Sequence, residues 1–395
     1  MHLAPKSLGL AALITALVAT GPLSTDMYLP ALPDIGRAFL VDTAAVQLTL
    51  SVFLLGFAVA QLILGPLSDK YGRRPVLVGG MLVYLLASVW CVLADTVEVL
   101  TVARFFQAVG VCAGSAVGRA VVRDIHGREE AARMLSHIST AIAVAPLVAP
   151  LIGGQLAITF GWSSVFVAMA VIGALLFALT AALLPETNLW READALNPKR
   201  FARNYAALLG MADYRAYLLS TAYCFSGLFA FISGASFVLI EDLGMSVETF
   251  GFAFGFVVVG YMVGAQVGGR MTKRRGVARM VGLGGRLAAM TGLAGFLVQV
   301  LMPSSVFSVI MPMALYLVSV GIILPNAMAG AIGPHQNMAG AASALLGFVQ
   351  MAMAAGAGVL VGVLHDGTPV PMMAVVALCG LLTLVYARRA ERVSV

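Results

Sequence analysis

Two charged side chains, Asp26 and Arg104, fall well inside long apolar stretches of the chain. An ionisable group in the hydrocarbon of a membrane costs at least about 2.5 kcal/mol, so it usually pairs with another group or faces a wet cavity. The two stretches run in opposite directions, and at about 1.5 Å per helical residue both side chains come to a similar depth. We therefore expect Asp26 and Arg104 to be partners.

This pair has two possible roles. Desolvation favours a neutral carboxyl group and a nearby guanidinium favours the carboxylate, so an acid held between these effects can exchange a proton near neutral pH. The functional hypothesis is a proton-coupling and substrate site at Asp26 and Arg104. The alternative is a buried ion pair that only fixes the packing of two helices.

Uncharged polar side chains inside the apolar stretches are candidates for a substrate cavity. Any one of them is more often a hydrogen bond between helices than a ligand contact. The candidates are Tyr28, Gln47, Gln61, Gln107, Tyr223, Asn326 and Gln350. The four cysteines also lie in apolar runs without metal-ligand spacing, and we interpret them as reduced apolar side chains.

The composition indicates that the elements positioning these residues lie in a membrane. Of the 395 residues, 61% are hydrophobic and 11% are charged, whereas soluble domains are about 25% charged. This excludes a soluble enzyme and a nucleic-acid-binding protein, despite a net charge of +6. The chain has no Gly-x-x-x-x-Gly-Lys loop for nucleotide phosphates and no His-Glu-x-x-His motif. We expect no enzymatic activity, no metal and no cofactor.

Twelve apolar runs are long enough to cross a bilayer, which takes about 20 residues. The longest polar stretch divides the chain into an N-terminal six-helix bundle (1–184), a cytoplasmic linker with a possible surface helix (185–213) and a C-terminal six-helix bundle (214–395). We interpret the first run as a span and not a signal peptide, because it is long and contains Asp26. The runs are 8–29, 45–67, 75–94, 99–121, 134–160, 164–184, 214–240, 250–269, 280–302, 306–326, 338–364 and 370–387.

The distribution of charge between the runs predicts the orientation in the membrane. One set of loops, together with both termini, contains almost all the loop Lys and Arg residues, whereas the opposite set contains only Arg37. Because loops rich in Lys and Arg stay inside, we expect both termini to be cytoplasmic. The opposite set contains eight acids: Asp34, Asp42, Asp95, Glu98, Glu241, Asp242, Glu248 and Asp366.

The two halves show an internal repeat. When the sequence is shifted by 204 residues, the second apolar run aligns with the eighth. This alignment favours a duplicated transporter. The second copy lacks the acid of the first, because Lys273 lies at the position that corresponds to Asp69. The matched pairs are Gly56 with Gly260, Gly65 with Gly269, Lys70 with Arg274 and Gly72 with Gly276.

The loop between the second and third runs contains Gly-x-x-x-Asp-Lys-x-Gly-Arg-Arg, which resembles the signature loop of the major facilitator superfamily. Lys70 replaces the usual Arg of that motif. The resemblance implies that Asp69 belongs to a charge network between helix ends that latches one conformation. The gating residues implied are Gly65, Asp69, Gly72, Arg73 and Arg74.

Three further stretches resemble motifs of the same superfamily. The stretch from Arg104 to Gly110 resembles the fourth-helix motif, whose Arg is linked to proton transfer, with Ala108 in place of a Gly. The fifth run resembles the antiporter-helix motif, although two inner glycines are alanines here. Residues 24–33 are similar to the first-helix signature of the bicyclomycin and chloramphenicol resistance (Bcr/CflA) branch. The antiporter-helix residues implied are Pro146, Pro150, Gly153 and Gly154.

This resemblance covers nearly the whole chain and implies an all-α membrane protein with the major facilitator fold, twelve helices in two pseudo-symmetric bundles. The implied function is proton-coupled multidrug efflux from a bacterial inner membrane, by a monomer that exchanges small amphipathic drugs for protons through alternating access. The alternative is a proton-coupled exporter or importer of a native metabolite on the same fold. A channel or a membrane-embedded sensor is a third possibility, against which the duplicated halves and the gating loop argue.

Overall fold

The computed structural model describes residues 4, 7–126, 128–302 and 304–393, and within these ranges the chain contains helices and no strands. The side chains of several residues between 128 and 141, and that of residue 193, lie outside the description. The helices are α1 Leu8–Asp26, α2 Leu32–Phe39, α3 Thr43–Tyr71, α4 Arg73–Val92, α5 Val97–Ile125, α6 Arg128–Phe160, α7 Ser163–Leu183, α8 Pro198–Gly210, α9 Ala212–Ser236, α10 Val247–Arg275, α11 Val277–Leu301, α12 Val306–Ile332, α13 Ala339–Leu364 and α14 Val370–Val393.

Twelve of these helices match the twelve predicted spans. In the described part of the chain, eleven stretches are long and apolar enough to cross a membrane, and one of them, Val306–Leu364, contains both α12 and α13. A 3-10 turn, Gly333–Met338, joins these two helices. The remaining helices are short: α2 follows α1 through a 3-10 turn, and α8 lies in the linker, beginning at Pro198 and ending at Gly210 as the sequence predicts.

Several helices extend beyond the predicted runs by up to six residues, and the end of the tenth run is one example. The tenth predicted run ends at Asn326, whereas α12 continues to Ile332 with Pro325 inside it. The helix tolerates this proline because neighbouring groups in a packed bundle can satisfy the freed backbone carbonyl. The four cysteines are free and buried, which confirms their interpretation as apolar side chains.

The internal repeat is visible in the backbone. Helices α3 and α10 are both 29 residues long and begin at Thr43 and Val247, 204 positions apart. Each is followed by a glycine with a positive φ, 107° at Gly72 and 80° at Gly276. Only glycine adopts such angles without steric cost, so the same sharp turn leads into α4 and into α11.

The chain forms two compact units. Unit 1 comprises the chain up to Phe39 together with Val52–Pro198, and unit 2 comprises Leu40–Ser51 together with Lys199–Val395. The division after Pro198 falls inside the predicted linker, 185–213. The first turns of α3 belong to unit 2, where Gln47 accepts a hydrogen bond of 3.2 Å from Ser233 on α9.

Glycines allow the closest approach of helices within unit 1. A Cβ atom at Gly110 on α5 would lie 2.4 Å from the backbone nitrogen of Tyr84 and 2.7 Å from the carbonyl oxygen of Gly80 on α4. A Cβ atom at Gly80 would lie 2.3 Å from the Cβ of Ala113. Helices in a lipid bilayer gain no hydrophobic driving force by associating. Close packing between small residues stabilises their association instead.

We predict that Gly80→Ala destabilises the protein and that Gly79→Ala does not. An added methyl at Gly80 meets helix α5, and overpacking of this kind costs about 1–3 kcal/mol. The space around a Cβ at Gly79 is empty, and alanine favours a helix over glycine by about 1 kcal/mol. Melting temperatures in detergent measure the difference, and equal values for the two variants would contradict the close α4–α5 packing.

Candidate functional site

The guanidinium of Arg104 lies in an aromatic cage inside unit 1. Arg104 is fully buried on α5. Its Cζ atom lies 4.5 Å from the ring centre of Tyr28, 4.2 Å from that of Phe53 on α3 and 5.8 Å from that of Phe166 on α7. Aromatic faces attract a cation, and this attraction is worth about 2 kcal/mol or more where water is excluded.

Hydrogen bonds satisfy only part of this guanidinium. Nη1 of Arg104 donates to Oε1 of Gln107 and to the carbonyl oxygen of Ser24, the latter at 3.2 Å. Gln107 is itself oriented by donating from Nε2 to the Ser88 hydroxyl at 2.8 Å. The Nε and Nη2 atoms of Arg104 are buried without an acceptor among the described residues. The cage therefore holds a cation with unused donors.

A hydroxyl pair ties α1 to α4 beside the cage. The Ser24 hydroxyl donates to the carbonyl oxygen of Thr20 at 2.7 Å, which uses its only hydrogen. The phenol of Tyr84 therefore donates to the oxygen of Ser24, and these two atoms are 2.7 Å apart. This bond fixes the segment of α1 whose carbonyl groups face Arg104.

Asp26 is the last residue of α1 and is buried, with 5% of its surface exposed. The structure does not form the predicted pair, because within the described ranges Asp26 has no ion pair and no side-chain hydrogen bond. The physical reason is that Gln107, the Ser24 carbonyl and the aromatic rings already hold Arg104. Unit 1 therefore contains a buried acid and a buried cation that are separate from each other.

The antiporter-helix glycines bring α6 against this part of α1. A Cβ atom at Gly153 would lie 2.0 Å from the carbonyl oxygen of Met27, the residue after Asp26. Pro146 and Pro150 lie inside α6, and Gly154 is buried beside Gly153. A side chain at position 153 would push α6 away from the end of α1.

The remaining polar candidates do not form one cluster. Tyr28 and Gln107 contact Arg104, whereas Gln61 is partly buried on the same unit and its Oε1 has no described partner. Unit 2 contains Gln47, Tyr223, Asn326 and Gln350. Of these, Tyr223 stacks on Tyr386, Asn326 accepts from Thr272 at 2.6 Å and donates to the Ile322 carbonyl at 2.8 Å, and Gln350 is partly buried.

Arg73 is the centre of the gating loop. Its Nη1 donates to Asp69 and to the Ser68 hydroxyl, the latter at 2.7 Å, and its Nε donates to Asp124 at 2.9 Å. These bonds connect the ends of α3, α4 and α5. Arg74 donates to the carbonyl oxygen of Ala181 at 2.7 Å and so adds α7 to the network. A Cβ atom at Gly65 would meet no other atom within 4 Å.

Sequence reasoning missed two acids of this network, Asp124 and Glu186. The carboxylate of Glu186 accepts from the backbone nitrogens of Arg73 at 2.9 Å, Thr187 at 3.0 Å and Asn188 at 2.9 Å. It therefore caps the positive end of the α4 dipole. The sequence offered no specific signal for these two acids, because the loops with the most Lys and Arg residues also contain other acids.

The chemistry available here is electrostatic. A buried guanidinium with two unused nitrogens can bind an anion or another acceptor, and a buried carboxyl group can hold or release a proton. Among the residues that the structure describes, no three His, Cys, Asp or Glu side chains are grouped to hold a metal ion. The arrangement is typical of a site that moves charge.

Comparisons with known sequences agree with the fold. A family model described as Major Facilitator Superfamily matches residues 12–360. The Haemophilus influenzae bicyclomycin resistance protein homolog is 29% identical over 362 residues, covering 92% of this chain and 91% of that protein. Multidrug resistance protein D of Escherichia coli is 30% identical over 345 residues, covering 87% and 86%. The Pseudomonas aeruginosa chloramphenicol resistance protein is 32% identical over 333 residues, covering 82% and 76%.

A solved structure agrees on the architecture. The xylose transporter XylE from E. coli, in a partially occluded inward open conformation, has a TM-score of 0.74 to this chain, covers 96% of both chains and is 12% identical. The apolar helices and the family match together define a multi-pass membrane transporter. The chain belongs to the Major Facilitator Superfamily, and it is a protein of the bacterial inner membrane whose relatives include named drug-resistance transporters.

We predict that Glu186→Ala lowers the melting temperature in detergent. The substitution leaves several backbone N–H groups near the start of α4 without their acceptor, which costs about 1–3 kcal/mol. Glu186→Gln keeps one acceptor oxygen and is expected to lose less. Asp194→Ala removes an exposed acid from the same linker and is the control. A Glu186→Ala variant as stable as the control would show that the cap is unimportant.

Proposed function

We propose that this protein exports small amphipathic or antibiotic-like compounds in exchange for protons, by alternating access, with Asp26 as the proton-coupling group. The observation that carries the proposal is the presence of two buried, mutually unpaired charges, Asp26 and Arg104, in one unit. Such charges are expensive in a membrane and usually mark substrate or ion pathways. The names of the relatives supply the class of substrate.

The separation of the two charges suggests how coupling works. A deprotonated Asp26 attracts Arg104 or a cationic drug, whereas a protonated Asp26 releases both. The observed arrangement, with Arg104 held by Gln107 and by aromatic rings, fits the protonated state of Asp26. Protonation from outside therefore favours release of the drug, and deprotonation inside resets the site. No cofactor is needed, because the proton gradient supplies the energy.

Asp26→Asn is expected to abolish drug resistance in an efflux-deficient host. The amide keeps the shape of the side chain but cannot carry the proton. The measurement is growth over a broad drug panel, with wild type, Asp26→Asn and Asp34→Asn expressed at equal levels. Asp34 is an acid on α2 with a largely solvated partner, Arg37, so Asp34→Asn should leave resistance unchanged.

The outcomes separate the hypotheses. Resistance from wild type and from Asp34→Asn, but not from Asp26→Asn, supports drug efflux and the role of Asp26. If wild type protects against no compound in the panel, the transporter instead moves a native metabolite, which accumulation in a deletion strain would reveal. If Asp26→Asn protects as well as wild type, Asp26 is structural.

The single carboxylate also predicts the dependence of transport on voltage. Exchange of one proton for a neutral drug moves one charge, which is worth about 2.3 kcal/mol per 100 mV. In proteoliposomes, efflux of a neutral substrate should therefore accelerate when the membrane potential is made inside-negative. Efflux of a monovalent cation should not respond, because that exchange is electroneutral. A neutral substrate whose transport ignores voltage would rule out one proton per cycle.

A further inference from the structure

The turn between α10 and α11 carries positive charge that the protein leaves without acidic partners. In unit 1 the matching turn contains Asp69, which pairs with Arg73. In unit 2 the residue 204 positions after Asp69 is Lys273. Arg275 and Arg279, on either side of the turn, form no ion pair and no side-chain hydrogen bond with any described residue. The second copy of the repeat has kept the turn but has Lys273 in place of the neutralising Asp69.

Arg275 and Arg279 line a cavity of about 400 Å³ together with Leu283, Arg286 and Glu391, which we call the arginine cavity. The Nη2 atom of Arg286 donates to both carboxylate oxygens of Glu391, at 2.9 Å and 3.2 Å. One carboxylate therefore faces three guanidinium groups, and the cavity has a positive excess. A volume of this order suits a small ligand or headgroup.

Packing prevents Glu391 from neutralising the other arginines. A Cβ atom at Gly282 would lie 1.9 Å from Oε1 of Glu391, so the carboxylate occupies the space that the glycine leaves. Next to it, a Cβ at Gly285 would lie 2.6 Å from the Cβ of Ala387. These contacts pair α11 and α14 in antiparallel orientation and fix the acid beside Arg286.

An apolar surface continues directly from the arginine cavity. Arg279, Leu283 and Arg286 lie on one face of α11, and the same face continues with exposed apolar side chains. From Arg286 to Val300 it extends about 21 Å, more than the roughly 15 Å half-thickness of a bilayer core. The exposed apolar residues are Met290, Leu293, Leu297 and Val300 on α11, and Leu378, Leu381 and Val385 on α14.

We propose that this surface binds an anionic phospholipid, with the phosphate in the arginine cavity and the acyl chains along the apolar face of α11 and α14. Guanidinium groups match the geometry of phosphate oxygens and can bind them in pairs. A lipid satisfies both features together, because its headgroup supplies the missing negative charge and its chains cover the apolar residues. A soluble phosphate would occupy only the cavity.

Binding of defined lipids to the purified, delipidated full chain tests the proposal. The probes are phosphatidylglycerol, phosphatidylcholine with the same acyl chains, and inorganic phosphate, followed by native mass spectrometry and melting temperature. Phosphatidylglycerol should bind and raise the melting temperature of wild type, and the other two probes should not. The double variant Arg275→Gln, Arg279→Gln should weaken phosphatidylglycerol binding by about 30-fold, at about 5-fold per arginine.

A matched control removes equal charge outside the cavity. Lys273→Gln with Arg274→Gln acts in the same turn, at exposed residues that do not line the arginine cavity, and should change the affinity by less than about threefold. Glu391→Gln should act in the opposite direction and tighten binding several-fold, because it removes the one negative charge that faces the phosphate.

Three results would overturn the proposal. An equal loss of phosphatidylglycerol affinity in the two double variants would show that the lipid is attracted to the basic turn as a whole and not to the arginine cavity. Equal stabilisation by inorganic phosphate would show an ion site without a lipid. Unchanged or weaker binding by Glu391→Gln would show that the phosphate lies elsewhere, and this variant decides the question even if Arg275→Gln with Arg279→Gln fails to fold.

Discussion

The interior of a bilayer offers no water to a charged group, so every charge inside this protein must be accommodated by the protein itself. Arg104 shows how. Aromatic rings from α3, from α7 and from the segment after α1 surround the guanidinium, and Gln107 and a carbonyl oxygen of α1 bind one of its nitrogens. Arg104 therefore contacts residues of α1, α3 and α7 from its place on α5. Asp26, at the end of α1, is buried in the same unit without such partners among the described residues.

The two copies of the internal repeat keep the same backbone but differ in charge. Both have a 29-residue helix, a glycine with positive φ and a following helix that begins immediately. In the first copy, carboxylates surround Arg73 and the start of α4. In the second, Glu391 is the one acid among the described residues that lines the arginine cavity. The backbone shape has therefore been kept while the charge has changed, and the same turn can hold helices together in one half and attract an outside anion in the other.

Close helix contacts give these charges their fixed positions. Gly153 allows α6 to reach the carbonyl of Met27, and Gly282 makes room for the carboxylate of Glu391. In each case the missing side chain is what permits a polar group to lie where it does. Apolar side chains are as well solvated by lipid as by other side chains, so burying them does not drive helix association. Close packing of small residues is therefore the main interaction that holds such helices together.

The sequence by itself determined the twelve spans, the repeat and the family, and it singled out Asp26 and Arg104, because hydropathy, glycine spacing and intramembrane charge are local properties. It also predicted the short helix α8 from Pro198 to Gly210. Only the tertiary structure decided that Arg104 binds Gln107 and aromatic rings instead of Asp26, that Glu186 caps α4, and that the first turns of α3 pack with unit 2. Two side chains at a similar depth in the membrane are possible partners. Whether they meet depends on the rotation of each helix about its own axis, and packing against other helices sets that rotation.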